Sequence, residues 1–182
     1  EQMDIIGIGA ALVDVFADIT DEDLSRLNMP KGAMTLIDIN ASKDLLSQIN
    51  VHTSTAGGSA ANTIAGTASL GMSSGFIGKV ANDSFGDIFA NDLSKMNIKL
   101  FGQPLNNDTP TGKCIVLITP DAERTMNTLI GAAAFITPED LDAEVLKQTK
   151  VFFAEGYLFD SPQGVETFFK ACDMVHAGGG KV

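Results

Sequence analysis

Short uninterrupted apolar runs alternate along this chain with longer segments whose apolar residues recur at helical spacing, and nothing else in the sequence restricts the fold as much. A short apolar run suits a strand buried on both faces, whereas apolar residues three and four apart suit a helix laid on such a sheet. Ile5-Ile6 and Ile8, continuing through Leu12-Val13 to Asp14, read as one first strand. Thr20 with Asp23 makes a capping box for a short helix carrying Leu24 and Leu27. Ala33 to Ile39 reads as a strand, and Asn40 as the cap of a helix with Leu45, Leu46 and Ile49 on one face. Ala61, Ile64, Ala65 and Ala68 fall at helical spacing before Gly71; Phe76-Ile77 with Val80 is strand-like. Phe85, Ile88, Phe89, Leu93 and Met96 trace an amphipathic helix. Thr137-Pro138-Glu139-Asp140 opens another, Val151 to Ala154 is a short continuous apolar run that reads as a strand, and Ser161-Pro162 opens the last helix. The alternation predicts an α/β fold with a mostly parallel sheet and right-handed crossovers. One stretch breaks the rhythm. Residues 113–119 and 124–130, around a Pro120-to-Glu123 turn, predict an antiparallel hairpin. With the 33–39 strand it should stand off the parallel sheet and cover residues 57–62.

Charge and cysteine use remove whole classes of function. With 23 acidic and 12 basic residues in 182, the net charge of −11 argues against nucleic acid or anionic lipid bound by bulk electrostatics. No apolar run is long enough to span a bilayer, and no basic segment followed by an apolar one opens the chain, so neither a membrane anchor nor a signal peptide is expected. Cys114 and Cys172 lack zinc-type spacing and read as small core residues of a cytoplasmic protein, with no metal site expected. Gly178-Gly179-Gly180-Lys181-Val182 reads as a helix end leading into a strand, so the chain is expected to be the front part of something longer.

Several motifs are false leads. Gly7-Ile8-Gly9-Ala10-Ala11-Leu12 lacks the third glycine of a dinucleotide loop. Gly112-Lys113-Cys114 and Gly180-Lys181-Val182 are not Walker A loops. Gly57-Gly58-Ser59-Ala60-Ala61 imitates a nucleophile elbow, but His52 precedes it and His176 falls late on a helix face, so no acid–histidine pair follows in order. The same residues are informative in another way. Paired glycines before a helix bring backbone N–H groups close to a ligand, the helix N-terminus adds positive potential, and Asn62 supplies a donor and an acceptor one turn on.

Gly57, Gly58, Asn62, Gly71 and the stretch from Gly78 to Gly86 resemble the amino-terminal signature of the ribokinase-like (PfkB-type) carbohydrate and nucleoside kinases. Asp14, Pro110-Thr111-Gly112 and the turn from Asp121 to Arg124 resemble that family too, so the likeness spans the chain. Leu12-Val13-Asp14 and Thr111-Gly112-Lys113-Cys114 look most like adenosine kinases and related bacterial sugar kinases.

The resemblance implies a ribokinase-like fold, with helices on both faces of the central sheet and a small β lid formed by segments about 15–40 and 104–130. It implies an ATP- and Mg2+-dependent kinase acting on a sugar hydroxyl, most of all the 5′-hydroxyl of a nucleoside, with ribokinase- or fructokinase-type activity as the alternative. A sugar- or nucleoside-binding module without catalysis is the reading from another class. By position, Asp14, Gly57, Gly58, Asn62 and Glu155 are implied to bind the acceptor sugar, and Arg124 to meet the charge of the transferred phosphate. Glu155 matches a sugar-binding acid of ribokinases that adenosine kinases lack, and Ala10 stands where adenosine kinases tend to have Asn. The family's Asp-Thr-x-Gly-Ala-Gly-Asp signature and its magnesium-associated Asn-x-x-Glu do not occur. Residues 1–182 are therefore expected to hold the acceptor half and the lid, with base and ATP site beyond Val182, and to be inactive alone. Monomer and homodimer both remain open.

Overall fold

The computed structural model describes residues 2–182. The chain begins with β1 (Ile5–Ile8), β2 (Leu12–Asp18), α1 (Asp21–Arg26), β3 (Met34–Leu36), α2 (Ile39–Ser47) and β4 (Val51–Gly57). It continues through α3 (Ser59–Ser69), β5 (Ser74–Ile77), α4 (Ser84–Lys95) and β6 (Lys99–Phe101). The hairpin β7 (Gly112–Ile118) and β8 (Arg124–Leu129) follows, then α5 (Ala143–Leu146), β9 (Val151–Ala154) and α6 (Pro162–Ala177).

These strands form two sheets. The first is parallel, in the order β6-β5-β1-β9. One face carries Ile5 and Phe76 against Ile64 of α3 and Phe89 and Leu93 of α4; the other carries Ile6, Ile8, Ile77 and Phe152 against α5 and α6. Helices therefore lie on both faces, as the strand–helix alternation and the resemblance imply. The second sheet, β3-β8-β7-β2-β4, has five strands and mixed direction. It is larger than the three-strand group expected from the hairpin and the 33–39 strand. Its β2 alternates: Val13, Val15 and Ala17 are fully buried, with Ile115 and Leu117 of β7 and Leu45 of α2 in the same core, and Leu12, Asp14 and Phe16 face the other way. That core also holds the α3 and α4 residues, so the two helices join the sheets.

Four expectations need correction. The single first strand is two, β1 and β2, in different sheets, so Asp14 lies within β2 rather than at a strand end. The break falls at Gly9 to Ala11, where a Cβ on Gly9 would sit 2.6 Å from Glu155 Cδ and 2.8 Å from Ala60 Cβ, and where the Ala10 N–H donates to Glu155 rather than to a strand. The 33–39 strand shortens to Met34–Leu36, because Asp38, not Asn40, caps α2 by accepting from the Ala41 N–H at 2.8 Å. Strand β4 was not expected, since its sequence VHTSTAG edges the second sheet and is mostly exposed. The helix expected at Thr137 is a single 3-10 turn. Its Asp140 is drawn into a buried pair with Lys79 Nζ at 2.7 Å and accepts from the Gln103 N–H, so Leu141 runs extended.

Helix α4 is fastened to the hairpin by Asp83. This carboxylate accepts from the Gly86 N–H at 2.8 Å, capping the helix, and from the Thr111 N–H and hydroxyl at 2.9 and 2.6 Å. Lys113 Nζ, buried, donates to the Thr111 carbonyl and lies 4.5 Å over the Phe85 ring. Losing an N-cap costs up to about 2 kcal/mol. Asp83→Ala should therefore lower stability by about 2 kcal/mol in urea unfolding, and a change below a few tenths would contradict the role of the cap.

Candidate functional site

Asp14 reaches the open face of the second sheet because strand alternation sends Val13 and Val15 to the core and Asp14 away from it. In register beside it stand Thr55 of β4 and Cys114 of β7. Among the described residues its carboxylate makes no hydrogen bond and no ion pair. Burial pushes its pKa above the ordinary value of 3.8, and the positive charge of Arg124 opposes that rise. A half-buried carboxylate left without protein donors is set up to accept from a ligand.

Gly57, the last residue of β4, lies directly against it. A Cβ there would sit 2.7 Å from Asp14 Oδ1. Gly58, the N-cap of α3, has φ +97° and ψ 143°, and a Cβ would meet the Ala10 carbonyl oxygen at 2.5 Å. Asn62 follows one turn into α3, its N–H donating to the Gly58 carbonyl at 2.9 Å and its side chain exposed. Asp14, Gly57, Gly58 and Asn62 thus gather where β2, β4 and the α3 N-terminus meet. Exposed Arg124 begins β8; the register Asp14–Cys114–Thr128 and strand alternation put it on the Asp14 face, nearer the hairpin turn. Two surface clefts, of about 370 Å3 by Asp18–Thr20 and about 460 Å3 by Phe101–Gln103, are lined by none of these residues. The Asp14 face is an open sheet surface rather than a closed cavity.

Glu155 is placed differently. It follows β9 at the carboxyl end of the parallel sheet, only 8% exposed. Its Oε1 accepts from the Ala10 N–H at 2.6 Å, and its Oε2 from the Ala60 N–H at 3.1 Å and from the Ser59 hydroxyl. Sequence reasoning also misplaced Cys114, read as a core residue. It is half-buried on the Asp14 face, and burial followed by the Asp14 charge pushes its thiol pKa up, with a bond to Thr128 opposing. The signal was strand parity with Asp14, masked by Lys113, whose charge sits on the core side. Cys172 is buried against α6 neighbours, as expected.

The raised pKa of Asp14 has a defined consequence for stability. A carboxyl that holds its proton more tightly folded than unfolded makes the native state less stable as pH rises past 3.8. Asp14→Asn removes that penalty. Thermal unfolding should show the variant gaining on wild type as pH is raised from 3.8 towards 7. A variant that instead loses stability as pH rises would mean that Asp14 forms a favourable ion pair.

Comparison with known proteins follows the same lines. The profile of the family described as "pfkB family carbohydrate kinase" matches residues 30–181. The chain is 32% identical over 173 residues to the adenosine kinase of Saccharomyces cerevisiae, covering 88% of this chain and 50% of that protein. It is similar in structure to an adenosine kinase from Sinorhizobium meliloti, with TM-score 0.86 and 38% identity over 99% of this chain and 55% of the other. A probable sugar kinase from Rhizobium etli gives TM-score 0.86 and 35% identity, over 98% of this chain and 54% of the other. The chain therefore spans about half the length of the relatives it matches.

Proposed function

The chain belongs to the pfkB family of carbohydrate kinases, and from that premise we propose that it forms the acceptor-binding part of a kinase that transfers the terminal phosphoryl group of ATP to a sugar hydroxyl, the 5′-hydroxyl of a nucleoside such as adenosine. The observation that carries this reading is the Asp14 carboxylate, half-buried, without a partner among the described residues and flanked by a glycine with no room for a side chain. Two adjacent hydroxyls of a ribose donate to one carboxylate with good geometry, and bonds to a charged acceptor are among the stronger ones. The exposed Asn62 side chain adds a donor and an acceptor for a further hydroxyl. Arg124, whose charge is already felt by Asp14, faces the phosphoryl group as it arrives.

Among the described residues no three His, Cys, Asp or Glu side chains gather as a cation would require. In this reading the residues of this chain serve the acceptor, and ATP and Mg2+ are bound by the part of the relatives' length that the chain does not span. No helix is long and apolar enough to cross a membrane among the described residues, and the unpaired Cys114 and Cys172 suit the reducing cytoplasm. The likeness to adenosine kinases at 32% and 38% identity supports the nucleoside reading, beside a likeness to a probable sugar kinase at 35%. Glu155, which pointed to ribokinases, has both oxygens on protein donors and lends the sugar reading no support. A hydrolase working through Ser59 is disfavoured for the same reason, since that hydroxyl donates to Glu155 and no histidine bonds to it.

The test is a phosphoryl-transfer assay of the whole gene product with ATP against adenosine, other nucleosides, ribose and fructose. Adenosine should be the acceptor with the highest kcat/KM. A higher value for fructose or ribose would reassign the substrate, and no transfer to any of them would overturn the kinase reading.

A further inference from the structure

The chain crosses between its two sheets at a few places, and one buried side chain grips two of them. Gly9 to Ala11 carries it from β1 in the parallel sheet to β2 in the second; Gly58 returns it from β4, through α3, to β5. Glu155, just past the end of the parallel sheet's β9, accepts from the Ala10 N–H in the first crossing and from the Ser59 hydroxyl and Ala60 N–H just after the second. The site is shaped to admit it: a Cβ on Gly9 would collide with the carboxyl group. A carboxylate at the N-terminus of α3, an eleven-residue helix, also meets the positive end of its dipole. Three donors engage both oxygens, and the residue is only 8% exposed, so little of the carboxylate is left for a sugar.

We propose that Glu155 is a positioning residue rather than an acceptor ligand: by holding the Gly9–Ala11 crossing and the start of α3 to the parallel sheet, it fixes Asp14, Gly57 and Asn62 relative to one another. Asp14 lies three residues past the end of the first crossing, Gly57 adjoins the second and Asn62 follows it by one helical turn, so loosening either crossing moves the acceptor contacts apart. Displacements of this kind weaken binding and catalysis well beyond the size of the lost bond. This inference rests on the acceptor-site reading given above.

The experiment uses the whole gene product and two variants. Glu155→Gln keeps shape but leaves a single acceptor oxygen for three donors, and Ser59→Ala removes one donor and keeps the acid. Residue-resolved amide hydrogen exchange, read without any ligand, should show Ala10 or Ala60 exchanging roughly tenfold faster in Glu155→Gln. Adenosine affinity should fall roughly tenfold with ATP affinity unchanged. Ser59→Ala should shift both readouts the same way by less, and add little in the Glu155→Gln background, because the two share one bond. Lost adenosine affinity with both amides still protected would make Glu155 a ligand and overturn the proposal. Lost protection with unchanged adenosine affinity would make it merely structural and overturn it equally. If wild type binds none of adenosine, ribose and fructose, the kinase reading fails by itself, and the exchange rates still decide whether Glu155 holds the crossings.

Discussion

Replacing Asp14 with Asn in the whole gene product should weaken acceptor binding about ten- to a hundredfold and leave ATP binding nearly unchanged. A hydrogen bond to a charged group is worth about 1.5–3 kcal/mol, and each 1.4 kcal/mol is about tenfold in affinity. Asn keeps the shape, loses the charge and turns one acceptor into a donor pointed at the hydroxyls. Because Asp14 has no protein partner among the described residues and burial raises its pKa, the same change should not lower stability at neutral pH. Isothermal titration with adenosine and with ATP, beside thermal unfolding, reads all three quantities. Equal loss for both ligands, or a variant that unfolds, would return Asp14 to a structural role.

Gly58→Ala should do the opposite and damage the fold before any ligand is added. At φ +97° and ψ 143° the backbone is outside even the left-handed region that Asn tolerates, and holding a side chain there costs about 1–3 kcal/mol. The new methyl would also lie 2.5 Å from the Ala10 carbonyl oxygen, and overpacking of that kind adds about 1–3 kcal/mol. The sum, about 2–6 kcal/mol, is a large share of the total stability of a typical domain. Urea unfolding checks it. Wild-type stability combined with lost adenosine binding would mean that the glycine serves the ligand alone.

The segments legible in the sequence are those whose partners are local or whose pattern is uninterrupted. The 113–119 and 124–130 pair sits within a residue of β7 and β8, and Val151 to Ala154 matches β9, because apolar runs bounded by turn residues need no distant information. Ser161 caps as read, accepting from the Gly164 N–H, whereas Thr20 accepts from the Asp23 N–H while the Asp23 carboxylate turns to Arg26 instead of closing the capping box. What was illegible depends on residues far away in sequence. The break between β1 and β2 is tied to Glu155, 145 positions from Ala10. Strand β4 pairs only with β2 at the sheet edge and has no apolar stripe to announce it. Asp140 abandons a helix for Lys79, 61 residues earlier. At the site, Gly57, Gly58 and Asn62 were readable as a cluster because they are contiguous, and Asp14 only through resemblance. That Asp14 and Gly57 touch became visible once β2 and β4 were paired.

The strand order β3-β8-β7-β2-β4 also sets a timetable for synthesis. Strand β2 leaves the ribosome early, and its antiparallel partner β4 follows after α1, β3 and α2, but its other neighbour β7 is on the order of 100 residues downstream, Asp14 pairing with Cys114. At roughly 5–20 residues per second, the Asp14-bearing strand spends on the order of 10 s with one flank unpaired. Pairings this remote are slow to close and leave an exposed edge while they wait. Nascent chains halted before about residue 130 should therefore bind folding helpers at β2.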